Sequence, residues 1–229
     1  NPLYRPGQDR FYSVTTLGSH SEATDTWTLR EEFGYGITDK LMVNLATSAM
    51  EKDWFDASAW RDFTVGVNYR ALDMGNWKAD IFGTYALDPV WGNHTPFLDK
   101  DYTSYQWTAG VRGGYVAGDW TLAGHVAFDY VNSESFNWGD DGIHKLRVGI
   151  DGQYVLCPAW NLVAGVEYTG FLDDAFDNAG RWNGQFGVNY NIDATKFVGA
   201  YISGEMAHYT GDWEFEDGFG FGFKFGVDF

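Results

Sequence analysis

Apolar and polar side chains alternate with a period of two in run after run along this chain, most cleanly in its last twelve residues, GFGFGFKFGVDF. A strand sends successive side chains to opposite faces. Phe219, Phe221, Phe223, Phe225, Val227 and Phe229 therefore share one face, and Gly218, Gly220, Gly222, Lys224, Gly226 and Asp228 the other. Six large apolar side chains in register need a cover. In a soluble sandwich the cover is a second wholly apolar sheet face, whereas a bilayer supplies it without a partner.

The same alternation recurs upstream. A weakly patterned first run spans about residues 8 to 18, QDRFYSVTTLG. The second sets Trp27, Leu29, Phe33 and Tyr35 against Thr28, Arg30, Glu32 and Gly34, and the third sets Leu41, Val43 and Leu45 against Met42, Asn44 and Ala46. Further runs carry apolar faces at Phe63 to Tyr69, Trp77 to Tyr85, Tyr105 to Tyr115, Trp120 to Phe128, Leu146 to Tyr154, Trp160 to Tyr168, Trp182 to Tyr190 and Val198 to Met206. The connections alternate too: ITDK, LDMGN, AGD, LCPA and DAT are short, and the others are longer, the longest being residues 88–103. Twelve runs with five short and six long connections put both ends of the chain on the short-turn side. Trp and Tyr recur at the run ends, where the two membrane interfaces favour amphipathic rings. The pattern predicts one domain, residues 1–229: an all-β, transmembrane, antiparallel up-and-down barrel of 12 strands, preceded by an N-terminal segment at 1–7.

The final strand and its terminal Phe229 resemble the C-terminal strand of bacterial outer-membrane β-barrels, where the terminal Phe and the alternating apolar positions serve as the assembly signal. The resemblance implies a place in the bacterial outer membrane, contact with its lipid and lipopolysaccharide, and recognition by the barrel-assembly machinery through Phe229. It also makes the short turns periplasmic and the long loops extracellular. Twelve-stranded members of this class include nucleoside and acidic-oligosaccharide channels, phospholipases and autotransporter translocators, so strand number assigns no substrate. The chain shows no basic ladder of the kind an acidic-sugar pore implies, and no passenger domain.

Composition fits this picture. Mean hydropathy is −0.33 and no run of 18 apolar residues exists, which excludes a spanning helix; in a spanning strand only alternate residues touch lipid. The net charge of −17 disfavours nucleic acid, a polyanion that basic proteins bind by counterion release. Cys157, the single cysteine, excludes an internal disulfide and a cysteine cluster for zinc. Asn1 reads as the start of a mature chain whose export signal has been removed. No cofactor and no resident metal are expected.

The predicted lumen lining is Arg30, Glu32, Arg70, Lys78, Asp80, Arg112, Asp129, Lys145, Arg147, Asp151, Glu167, Arg181, Glu205 and Lys224. Cations and anions nearly balance there, so most of the negative charge falls in the long connections. A hydrated lumen of this kind suits small polar solutes, and an acidic vestibule enriches cations. A dry one pairs the same residues into a salt-bridged plug. Twelve strands lie between a filled barrel and an aqueous pore, and the many inward glycines favour space. The candidate constriction is Trp91, Phe97 and Leu98 in the longest connection, or the N-terminal segment folded inward. Catalysis is not expected: no Ser and His share an outer face in register, and His125 and Asp129 are about 13 Å apart along one strand. Asp173, Asp174 and Asp177 lack the spacing of a calcium loop. Glu31 breaks the pattern, because a charge among Leu29 and Phe33 would face lipid at high cost; a bulge, a position nearer the interface, or a partner subunit in a homo-oligomer would each relieve it. The expected function is passive diffusion of small hydrophilic solutes, cations or neutral molecules favoured, with a closed structural or adhesive surface protein as the alternative.

Overall fold

The computed structural model describes residues 1–20, 27–50, 60–87, 104–133, 142–173, 179–208 and 218–229. Among them lie twelve strands and no helix: β1 (Phe11–His20), β2 (Trp27–Gly36), β3 (Leu41–Met50), β4 (Trp60–Met74), β5 (Trp77–Leu87), β6 (Ser104–Ala117), β7 (Trp120–Ser133), β8 (Ile143–Cys157), β9 (Trp160–Phe171), β10 (Gly180–Asn191), β11 (Lys196–His208) and β12 (Gly218–Asp228). Each pairs antiparallel with its neighbours in sequence, and β1 pairs with β12 from Tyr12 opposite Asp228 to His20 opposite Gly220, which closes the ring. Closure satisfies every edge, the condition for a sheet to cross hydrocarbon, where an unpaired backbone group finds no water. At the seam, Phe11 and Phe229 exchange both backbone hydrogen bonds, at 2.7 and 2.9 Å.

The first strand starts later than its sequence suggests, at residue 11 rather than 8. Asp9 adopts a positive φ of 59°, and the Arg10 N–H donates to the Gly7 carbonyl at 3.2 Å, so residues 7 to 10 turn instead of extending. The two-residue turns at 75–76 and 118–119 open on Gly75 (φ 60°) and Gly118 (φ 59°). A left-handed first position gives a hairpin turn the twist of its strands, and glycine takes it without strain.

The outer surface is apolar. Phe33, Val65, Ile81, Val111, Leu122, Ile150, Phe186, Ile202 and Phe223 are all exposed around the ring. Aromatic rings bound this band at both ends. Phe11 packs on Tyr35, Trp77 on Tyr115, Trp120 on Tyr154 and Trp160 on Tyr190 near the short turns. Tyr85 packs on Trp107, Tyr105 on Tyr130 and Tyr168 on Trp182 at the other end. From Trp77 to Tyr85 the chain advances about 26 Å at ~3.3 Å per residue. With a tilt of about 40° that is roughly 20 Å of height, close to the lipid-facing band of spanning barrels.

Glu31 lies outside, halfway along β2. The β1–β2 register runs unbroken from Phe11–Tyr35 to Ser19–Trp27, so no bulge turns Glu31 inward. Its carboxylate accepts a hydrogen bond from Thr15 Oγ1 across the strand pair at 3.0 Å.

Candidate functional site

Inside the ring the strands present their polar face, and register decides which charges meet. On β4 and β5, Arg70 stands opposite Asp80. The guanidinium holds that carboxylate through Nε and, at 3.3 Å, through a terminal nitrogen, with both side chains only 4 % exposed. A buried pair survives desolvation only with such two-point geometry. Beyond the register shift between Arg70 and Leu72, Lys78 pairs with Asp73 at 2.7 Å beside the turn.

A larger network covers β6 to β9. Asp129, 2 % exposed, accepts Arg147 Nε at 2.6 Å, a second Arg147 nitrogen at 2.9 Å and the Thr108 hydroxyl at 2.7 Å. Arg147 also reaches Glu167 at 3.5 Å. His125 Nε2 lies 2.8 Å from the same Glu167, while Nδ1 is 3.3 Å from Asp151, an ion-pair distance without hydrogen-bond geometry. Arg181 and Glu205 pair at 3.6 Å between β10 and β11. Arg30 meets Asp62 at 2.6 Å, and Glu32 accepts from the Tyr12 hydroxyl at 2.5 Å.

Among the described residues, three cations rest on ring faces: Arg112 over Phe82 at 5.6 Å, Lys145 over Phe171 at 5.6 Å and Lys224 over Tyr201 at 4.8 Å. A ring face attracts a cation weakly and leaves its charge in place. Nearer the short turns the wall becomes an amide belt. Gln153 donates to Asn161 at 3.3 Å, Asn161 to Asn191 at 3.2 Å, and Asn191 to the Pro158 carbonyl at 2.9 Å. A cavity of about 1290 Å³ lies against this wall, with Glu32, Asn44, Asn68, Thr84, Arg112, Arg147, Asn189, Pro2 and Tyr4 among its lining residues.

The inward glycines do a different job from the one their smallness suggests. A Cβ on Gly34 would strike the Tyr12 ring, on Gly110 the Phe82 ring, and on Gly226 the Phe197 ring; on Gly66 and Gly199 it would strike Asn44 and Asn189. Each glycine seats a neighbour's side chain flat along the wall. The glycine positions are not bare wall; large side chains lie across them.

Among the predicted lining residues, register thus brings together Arg70 with Asp80, Asp129 with Arg147 and Glu167, and Arg181 with Glu205. Arg30 and Lys78 meet acids absent from that set, Asp62 and Asp73. Trp91, Phe97 and Leu98 lie outside the described residues, as do Asp174 and Asp177. Asp173 accepts from the His144 backbone N–H at 2.6 Å and lies 2.7 Å from its Nδ1. Tyr12, Asp62, Asn68 and the His125 contacts were not visible as partners in the sequence. Asp62 sits at a positive φ of 54° near the register shift between Ala46 and Ser48, where periodicity carries no signal.

No family model and no curated protein matches the chain. Solved structures do match over nearly its whole length. The NanC porin shares 12 % identity over 93 % of this chain and 98 % of its own, with a TM-score of 0.66. An outer membrane channel from Pseudomonas putida F1 shares 16 % over 99 % and 97 %, with a TM-score of 0.56. The KdgM porin, solved in complex with disordered oligogalacturonate, shares 9 % over 95 % and 98 %, with a TM-score of 0.54. Identities this low speak for the fold, and the fold of this chain, a closed ring of twelve antiparallel strands, is that of the bacterial outer-membrane β-barrels.

Proposed function

We propose that the protein is a passive channel of the bacterial outer membrane for small hydrophilic solutes, favouring neutral molecules and cations. The observation that carries this reading is the cavity of about 1290 Å³ inside the closed ring, beside ion pairs that run along the wall between neighbouring strands. Pairing of that kind spends the charges on one another, and an amide belt that both donates and accepts suits hydroxylated or amide solutes. The long connections, rich in Asp and Glu, add a cation-attracting field at the far mouth. Phe229, exposed at the seam, is the residue we assign to recognition by the assembly machinery, and we assign no catalytic role to the His125 cluster. A trimer form of Vibrio cholerae OmpT, 12 % identical with a TM-score of 0.53, makes a homo-oligomer a reasonable assembly to test.

Reconstitution into planar bilayers under a salt gradient tests the reading. A steady open current with a reversal potential displaced toward the cation supports it. An electrically silent insert refutes it and favours the closed structural protein that the Asp129–Arg147 network would equally suit.

A further inference from the structure

We propose that residues 2–6 form the constriction that sets which solutes pass, a strap held against the inner wall near the short-turn end. This rests on the channel reading and names the part of the site that selects. PLYRP carries no strand period, yet its groups are tied to five strands or their ends. Arg70 donates to the Leu3 carbonyl at 2.9 Å and Arg112 to the Pro2 carbonyl at 3.3 Å. Both arginines project from the polar side of their strands, so the backbone they grip runs within the ring. Arg5 reaches the other way, to the Lys40 carbonyl at 2.6 Å, to the Asn68 carbonyl at 3.3 Å, and to Asp80 at 3.8 Å.

Packing completes the attachment. Leu3 is 5 % exposed, and its Cδ1 occupies the space a side chain on Gly114 would need. Pro6 is fully buried. Tyr4 stands edge-on to Tyr12 with centroids 6.0 Å apart. Pro2 and Tyr4 line the cavity, so the strap is one of its walls and its bulk is subtracted from the passage. The grip is mostly by charge-assisted hydrogen bonds to backbone carbonyls. The bonds from Arg70 and Arg112 grip the strap's backbone whatever side chains it carries, while those from Arg5 and the packing of Leu3 depend on the strap's own side chains.

The test compares three proteins in planar bilayers and in vesicle swelling with neutral sugars of increasing size: the full chain, a deletion of residues 2–7, and a Leu3→Gly, Arg5→Ala double variant that keeps the length but loosens the hold. Heat-modifiable migration on gels confirms that each is a folded barrel. The expected result is a conductance about twofold or more higher for the deletion, since passage follows lumen width, with entry of a sugar the full chain excludes and a noisier, intermediate current for the double variant. Folded variants whose current and size limit equal those of the full chain overturn the strap while leaving the channel standing. Silence from all three overturns the channel reading, and the strap with it.

Discussion

Replacing Asp129 by Asn asks whether the wall charges face the path of a permeating ion. Asn keeps the shape and one acceptor for the Thr108 hydroxyl, but the carboxylate that takes two Arg147 nitrogens at 2.6 and 2.9 Å is gone. Arg147 lines the cavity and keeps Glu167 at 3.5 Å, so the wall gains one unit of positive charge however the guanidinium resettles. An ion about 5 Å away feels that unit as about 0.8 kcal/mol in water, reduced to about 0.5 kcal/mol by screening at 0.1 M salt. Anions gain about 2.3-fold and cations lose about 2.3-fold, so the anion-to-cation permeability ratio rises about fivefold. A lumen less polarisable than bulk water only enlarges the effect. The assay is the reversal potential under a salt gradient, with Arg147→Gln as the mirror variant that must shift it the other way. If both variants fold and neither moves the reversal potential, the cavity beside Arg147 is not on the ion's path and the compensated-wall reasoning fails.

Two further pairs of substitutions test the two faces of the wall. Ile81, midway between Trp77 and Tyr85 and 54 % exposed, should meet lipid near the bilayer midplane: Ile81→Arg is expected to lower stability in vesicles by about 2–4 kcal/mol, and Leu87→Arg, beyond the girdle, by about 0–1 kcal/mol. Equal losses in urea titrations would place the apolar band elsewhere. Gly226→Ala drives a methyl into the Phe197 ring; the expected cost is about 1–3 kcal/mol of overpacking, with a smaller current as the ring swings into the cavity that Phe197 lines. A Phe197→Ala background should remove both effects.

Much of the architecture was legible because a strand between two solvents obeys one strong local rule. Phe219, Phe221, Phe223 and Phe225 point outward in the structure as their spacing dictates, since a one-residue slip would put every one of them in the lumen. The partners of the inward residues were not legible, because cross-strand neighbours depend on register and shear rather than on local sequence. His125 meets Glu167 and Asp151, two strands and one strand away, and its ring lies over Gly149; along its own strand only Asp129 could be weighed against it. The same limit applied to Glu31. The sequence marked it as an exception, and the unbroken β1–β2 pairing together with the Thr15 bond was needed to eliminate a bulge. Leu3 and Pro6 are buried by contacts that no period encodes.

Charge is partitioned along this chain in a way that separates two kinds of selectivity. All but two units of the −17 net charge fall in six connecting segments, residues 21–26, 51–59, 88–103, 134–141, 174–178 and 209–217, each of which joins strands paired side by side in the ring. The strands and short turns are therefore close to neutral, in keeping with the pairing along the wall. A field from charges in the connections acts through solution and must fall with salt, over about 10 Å at 0.1 M and about 3 Å at 1 M; a size limit set by packed atoms does not. Cation preference should accordingly decline steeply between those two salt concentrations, while the largest neutral sugar admitted stays the same. Reversal potentials and sugar-dependent block, measured on one protein at both concentrations, separate the two. A cation preference that persists at 1 M would locate the selecting charge inside the ring, on groups such as Glu32 or Asp151, and would contradict the assignment of charge selection to the connections.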